Sequence, residues 1–251
     1  MKNLLSAILG LLCISGMAQT AVKKSAIVQY KIINNTDAAN TARSTLYIDG
    51  ASTVYIASFG EKVYKDAKVE AEEEKTGYKE YMKYDHKKKE LLFFEYMGQQ
   101  PVLVTDTYNK LAWDITGETK KIAGFECIKA SADFRGRKWI AWFTPDIPLS
   151  YGPWKLHGLP GLIIQAYDET EKYIWRAEKI DYIKDAVMDK DFSTFLAANN
   201  KQPMLLRQYI NDEAERKANV TNEFLRTNPN IKIESDSVPK TGYELKYEWE
   251  K

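Results

Sequence analysis

The feature that most constrains the fold of this chain is a succession of short segments separated by turn signals about every ten residues, the spacing of an antiparallel sheet. Alternation of polar and apolar side chains marks many of them, and Asp49-Gly50 between two of them is a hairpin signal. The chain is therefore predicted to be mainly β, with a curved antiparallel sheet that forms an open half-barrel or a sandwich. The predicted strands are 25–33, 44–48, 53–57, 78–85, 91–97, 102–106, 111–115, 121–130, 139–143, 162–166 and 173–183.

The pattern changes after residue 185. Phe192, Phe195 and Leu196 have helical spacing, and Pro203 suits the start of a second helix. Residues 186–251 are thus predicted to be a helical C-terminal extension, with a last short strand at 242–249. This part has too few apolar side chains for a core of its own, so residues 19–251 are predicted to form a single domain. The polar, charged segment 59–77 is predicted to be a solvated loop or helix face.

The first 18 residues have the features of a secretory signal peptide: a positive start, an apolar run and small residues before a cleavage site. Cleavage is predicted between Ala18 and Gln19. A lipid anchor at Cys13 is not expected, because Leu12 stands where a lipobox needs a small residue. The predicted location is periplasmic or secreted.

Charge and cysteine content exclude several classes of function. Removing the signal peptide takes away one of the 36 basic residues and none of the 35 acidic ones, so the formal net charge falls from +1 to 0. A neutral chain does not favour nucleic acid as a partner. Cys127 is then the one remaining cysteine, which excludes an intramolecular disulfide and a Cys-x-x-Cys metal site. We predict no cofactor, no metal, and no transmembrane segment after the signal peptide.

Residues 139–163 hold three of the six tryptophans. Gly158 and Gly161 flank a proline kink, so a tight turn is expected there. Either the aromatic residues line a pocket, or they fill the core at a structural corner. Arg135 and Arg137 around a glycine could grip a carboxylate or phosphate, or pair with surface acids at a hairpin. The candidate ligand-binding residues are Trp142, Phe143, Trp154, His157, Gly158, Pro160, Gly161, Arg135 and Arg137.

The hexapeptide Gly-Leu-Pro-Gly-Leu-Ile at 158–163, with Gly152-Pro153-Trp154 before it, resembles the signature of the GLPGLI family of exported bacterial proteins. Similar motifs extend over residues 110–182. The resemblance implies an exported protein of Bacteroidetes-type bacteria, an antiparallel β architecture, and a setting near outer-membrane transport systems. A weaker similarity to the half-barrel of periplasmic lipoprotein carriers concerns the fold alone.

These observations favour a non-enzymatic periplasmic binding or carrier protein for an apolar or peptide-like ligand. One alternative is a hydrolase-type enzyme that uses His157 with Asp146 or Arg137. Another is a structural accessory of an outer-membrane transport system. No nucleophile elbow, P-loop or dinucleotide-binding fingerprint occurs in the sequence.

Overall fold

A computed structural model of the chain describes residues 25–37, 39–60, 62–65, 68–71, 78–107, 110–183, 190–198, 202–231 and 240–250. The predicted signal peptide, with Cys13 and the cleavage site between Ala18 and Gln19, lies outside the described residues. The secondary structure of the described part is as follows: β1 Ser25–Asn34, β2 Asn40–Asp49, β3 Ser52–Phe59, β4 Lys62–Lys65, β5 Lys68–Ala71, β6 Tyr78–Asp85, β7 Glu90–Met97, β8 Gln100–Thr107, β9 Asp114–Ile122, β10 Phe125–Phe134, β11 Arg137–Thr144, β12 Leu162–Asp168, β13 Tyr173–Ile183, α1 Lys190–Ala198, β14 Met204–Leu205 and α2 Leu206–Thr227.

Twelve of these strands form one open sheet, in the order β14-β8-β7-β6-β3-β2-β1-β13-β12-β11-β10-β9. Neighbours are antiparallel except at one edge, where β14 runs parallel to β8. Strand β1 lies in the middle and pairs with both β2 and β13, so it joins the two halves of the chain. The predicted mainly-β fold, with a large open sheet and C-terminal helices, is confirmed.

The two faces of the sheet have different roles. On one, the outer face, Tyr81 and Phe94 pack against Phe195 of α1, with ring centroids 5.1 and 4.5 Å apart. On the other, the inner face, the alternate residues Met82 and Phe93 belong to the main core. This alternation follows from the two-residue period of a strand. The inner face therefore carries the larger core and, as described below, the candidate site.

Short turns with left-handed backbone connect β9 to β10 and β10 to β11. Arg135 and Gly136 have φ of 47° and 81°, and Ala123 and Gly124 have φ of 48° and 88°. Two consecutive positive φ values are typical of the type I′ turn, whose twist matches that of the flanking strands. The Ala123-Gly124 turn ends β9 and begins β10, so the single strand predicted at 121–130 is wrong.

Two further expectations differ from the structure. Strands β4 and β5 form a small hairpin within the segment predicted as a loop or helix face. Residues 242–249 form bends and a turn and not a strand. The predicted helices are present as α1 and α2. Among the described residues, no helix combines the length and the apolar character needed to cross a membrane.

Candidate functional site

A cavity of about 200 Å³ lies between the inner face of β6 and β7, the start of α2, the loop that precedes β12, and the C-terminal residues 240–250. Its walls are largely aromatic, and four charged side chains also face it. The principal rings are those of Tyr55, Tyr78, Phe93, Trp154, Tyr209 and Tyr243. The charged side chains are those of Glu80, Glu95, Lys155 and Glu244. A concave site with aromatic walls and a few convergent polar groups is the usual form of a ligand site.

Trp154 connects this cavity to the core. Its backbone has a φ of 53°, which a non-glycine residue seldom adopts. The indole is buried, with ring centroids 5.3 Å from Trp139, 5.3 Å from Tyr243 and 6.2 Å from Trp175. This aromatic packing holds the strained residue in place, so one side of the cavity is rigid.

A buried ion network lies beside the cavity. Arg135 donates two hydrogen bonds to the carboxylate of Asp106, at 2.7 and 2.9 Å, and one each to Glu244 and Glu248. Lys155 donates to Asp106 and Glu244 at 3.0 and 2.7 Å. Burial by itself would raise the pKa of Asp106, but the bonds from Arg135 and the charge of Lys155 bring it below its usual value.

The same arginine fastens the C-terminal residues over the cavity. The backbone N–H groups of Leu245 and Lys246 donate to the carbonyl of Arg135, at 2.8 and 3.1 Å. Arg137 donates to the carbonyl of Gly242 from two of its nitrogens. Residues 240–250, here called the C-terminal strap, are thus held by the β10–β11 turn, and Tyr243 and Glu244 reach the cavity from it.

Glu80 and Glu95 lie on adjacent strands and share the inner face. They stand two residues beyond the last aligned pair, Met82 and Phe93, and both line the cavity. Burial, together with the charge of Glu95, raises the pKa of Glu80 to about 7. Burial likewise raises the pKa of Glu95 to about 7, against the opposing effect of Lys155. The two carboxyls therefore titrate near neutral pH.

Two predicted site residues on β11, Trp142 and Phe143, lie away from this cavity. Trp142 is buried, with the Lys120 ammonium 4.0 Å from its ring centroid and its indole N–H 3.5 Å from the Tyr167 hydroxyl. Phe143 is buried in the main core. A register shift in the β11–β12 pairing lies between Trp142 and Phe143, and both are covered. Trp142 and Phe143 remain candidate ligand-binding residues, but they do not line the cavity.

His157 lies in a separate aromatic cluster. Its ring centroid is 5.4 Å from that of Tyr84 and 5.7 Å from that of His86, and its Nδ1 lies 2.9 Å from the Lys155 carbonyl oxygen. Burial lowers the pKa of His157, and burial together with His157 lowers that of His86 to about 4. Both imidazoles are therefore neutral at pH 7. These contacts orient the ring, and the hydrolase alternative stays a prediction.

The glycine-proline turn is a close contact between backbones. A Cβ at Gly161 would lie 2.1 Å from the Thr144 carbonyl oxygen, whereas one at Gly158 would meet no atom within 4 Å. Gly158 instead needs its φ of 94°. Pro160 between them is exposed. Of the nine predicted binding residues, the structure places Trp154 on the cavity and puts Arg135 and Arg137 where they fasten the C-terminal strap.

Residues 135–165 match the model of a family of proteins of unknown function, Porph_ging. The matched span runs from the β10–β11 turn into β12, so it includes both arginines, Trp154 and the glycine-proline turn. Membership of the GLPGLI family, which the motif at 158–163 indicates, remains a prediction. No curated protein matches the chain.

Two solved structures of PNGF-II, in space groups C2 and P21, share the fold over 77% of this chain. Their TM-scores are both 0.52, with 19% and 18% sequence identity. The match covers 33% and 34% of those chains, so this protein spans about a third of their length. At such identity the likeness concerns the fold alone.

A third structure is described as an outer membrane lipoprotein-sorting protein domain from Vibrio parahaemolyticus. It aligns over 70% of this chain and 92% of that one at 10% identity. Its TM-score is 0.27, which does not establish a common fold. The similarity to lipoprotein carriers is therefore still a prediction.

Sequence reasoning missed most of the residues that line the cavity. Glu80 and Glu95 offered one signal, because each falls on the inward position of an alternating strand, next to Met82 or Phe93. A charged residue is rarely buried at such a position unless another group pairs with it. Glu244 offered none, since its place depends on the C-terminal strap. Within the described residues, no three His, Cys, Asp or Glu side chains are grouped so as to hold a metal ion.

Proposed function

We propose that this protein is a non-enzymatic binding or carrier protein, and that its ligand occupies the cavity on the inner face of the sheet. The cavity itself is the observation that carries the proposal. Its rings offer flat apolar surface, and its few charged groups offer orientation. The walls come from four separate parts of the chain, one of them rigid around Trp154. Such a site is suited to holding a molecule.

The size of the cavity narrows the ligand. Small-molecule sites usually enclose about 300–1,000 Å³, whereas this cavity encloses about 200 Å³. A cavity of this volume holds a group about as large as one bulky side chain. A long acyl chain would need more room. The cavity therefore supports the peptide-like ligand over a lipid, with part of the ligand outside.

The proposed setting is the periplasm or the outside of the cell. The predicted signal peptide supports export, as does the resemblance to exported GLPGLI proteins. A role beside an outer-membrane transport system is consistent with that resemblance.

The test is native mass spectrometry of the protein purified from its own host under non-denaturing conditions. A co-purifying mass of a few hundred daltons is expected. Ile210→Trp would fill the cavity from α2 and should abolish that mass. Val220→Trp adds the same ring at an exposed position of the same helix and should retain it. An apo mass for all three proteins, or equal retention in both variants, would contradict the proposal.

A further inference from the structure

The two glutamates on the inner face, Glu80 and Glu95, give the cavity an unusual electrostatic character. Glu80 and Glu95 are partly buried on the inner face and both line the cavity. With Glu244 they bring three carboxyl groups, against one ammonium from Lys155. When all are ionised, the charge of the lining is therefore 1 − 3 = −2. A negative charge of this kind in a partly closed space is costly unless a cation compensates it.

The cation already present is committed elsewhere. The Lys155 ammonium is held by Asp106 at 3.0 Å and by Glu244 at 2.7 Å. Its charge lowers the pKa of Glu95, but its hydrogen bonds go to Asp106 and Glu244. The ionisable groups that act on the glutamate pair come from every surrounding element: Tyr55 of β3, Tyr78 of β6, Lys155, Tyr209 and Glu213 of α2, and Tyr243, Glu244 and Tyr247 of the C-terminal strap.

We propose that the ligand of this cavity carries an ammonium group, which is bound between Glu80 and Glu95 while the aromatic walls enclose its carbon skeleton. The inference deepens the proposed function and rests on it. The carboxylates would accept charge-assisted hydrogen bonds from the ammonium. The tyrosine and tryptophan faces would attract the same cation through their ring quadrupoles. In a peptide-like ligand the ammonium is either the terminal amine or a lysine side chain.

Binding of an ammonium should be coupled to proton release. Each carboxyl has a pKa raised to about 7 by burial and by its neighbours, so below pH 7 the pair is largely protonated. An ammonium binds the ionised pair, so it displaces those protons. Its affinity should rise as the pH increases from 5.5 to 8. A lysine-type amine stays charged over that range because its pKa is about 10, whereas a terminal amine, with a pKa of about 8, begins to lose its charge towards pH 8.

Calorimetric titration with three probes of one shape tests the proposal. Phenethylamine is cationic, 2-phenylethanol is neutral and 3-phenylpropionate is anionic. At pH 8 the amine should bind at least about tenfold more tightly than the alcohol, and the carboxylate most weakly. At pH 5.5 the amine should lose most of that advantage. The E80Q/E95Q variant should bind amine and alcohol alike. Glu223→Gln changes an exposed glutamate of α2 that is paired with Arg226, and it should keep the preference.

The outcomes separate the two proposals. Equal binding of alcohol and amine at pH 8 would overturn the ammonium inference and leave the cavity as a binding site. Failure of all three probes to bind would overturn the ammonium inference. That result, with no co-purifying mass in the native experiment, would also overturn the proposed function. Loss of the amine preference in Glu223→Gln as well would show that surface charge, and not the pair, is responsible.

A second titration at pH 7 distinguishes the two sources of the ammonium. Phenylalaninamide presents a terminal amine, and Nα-acetyl-lysine amide presents a side-chain amine. Tighter binding of either one than of N-acetyl-phenylalaninamide, a neutral control, supports the inference and identifies the source. Binding of neither above that control would overturn the assignment to peptide-like amines.

Discussion

Arg135→Met removes the guanidinium at the centre of the buried ion network while it keeps most of the apolar stem. The Arg135 side chain is 1% exposed, and that of Asp106 is 3% exposed. The variant leaves Asp106 with Lys155 as its remaining ion-pair partner among the described residues. It also removes the contacts of Arg135 with Glu244 and Glu248 in the C-terminal strap. The cost is therefore that of a buried carboxylate that loses one of its two cationic partners, and of a strap that loses its two ion pairs with Arg135.

The structure gives the size of this effect. Removing one partner of a buried pair usually costs about 3–5 kcal/mol. For a chain of this length, each kcal/mol lowers Tm by about 2–4 °C, so Tm should fall by about 6–20 °C. The pair formed by Lys129 and Glu118 is a matched control, with side chains 27% and 59% exposed. Lys129→Met should cost less than about 1 kcal/mol because solvent screens that pair.

Thermal unfolding followed by circular dichroism measures both variants, and limited trypsin digestion follows release of the strap at Lys246. Faster cleavage there is expected only in Arg135→Met. A second variant, Asp106→Leu with Arg135→Met, also removes the under-compensated carboxylate and should recover part of the lost stability. The reasoning is refuted if Arg135→Met shifts Tm no more than the Lys129 control does.

Three other predictions concern two glycines, a cysteine and a glutamate. Gly161→Ala should destabilise the protein by about 3 kcal/mol or more, because its Cβ would lie 2.1 Å from the Thr144 carbonyl oxygen. Gly158→Ala has open space for its Cβ but a positive φ, so it should cost about 1–2 kcal/mol. Urea unfolding measures both variants. Cys127 is buried and burial raises its pKa to about 11, so iodoacetamide should label it only after unfolding; rapid native labelling at pH 8 would contradict this. Glu80→Gln should match the wild type in stability at pH 4 and exceed it by about 2–3 kcal/mol at pH 8. The pKa of Glu80, raised to about 7, favours folding of the wild type at low pH, and that contribution is lost as the pH rises through 7. Equal stability of variant and wild type at both pH values would refute the raised pKa.

The strands were predictable because their signals are local. Alternation over a few residues and the Asp49-Gly50 turn identify β2 and β3 without knowledge of the rest of the chain. The helices after residue 185 followed from helical spacing for the same reason. The boundary between β9 and β10 was missed because Ala123, with φ of 48°, carries no glycine-like signal of its own.

The fate of residues 242–249 shows the opposite situation. Their alternating pattern resembles a strand, but the backbone N–H groups of Leu245 and Lys246 bond to the carbonyl at the β10–β11 turn. That acceptor is more than a hundred residues away, and no local pattern announces it. Tertiary contact thus overrode the local preference, as is common where propensity is weak.

What the sequence determined by itself is the class of fold, the position of most strands, the two C-terminal helices and the turn chemistry between 158 and 161. Each depends on neighbours within a few residues. Only the tertiary structure decided which side chains share a site. Glu80, Lys155 and Glu244 reach one cavity from β6, a loop and the C-terminal strap, and their charges interact because folding excludes the water that would otherwise screen them.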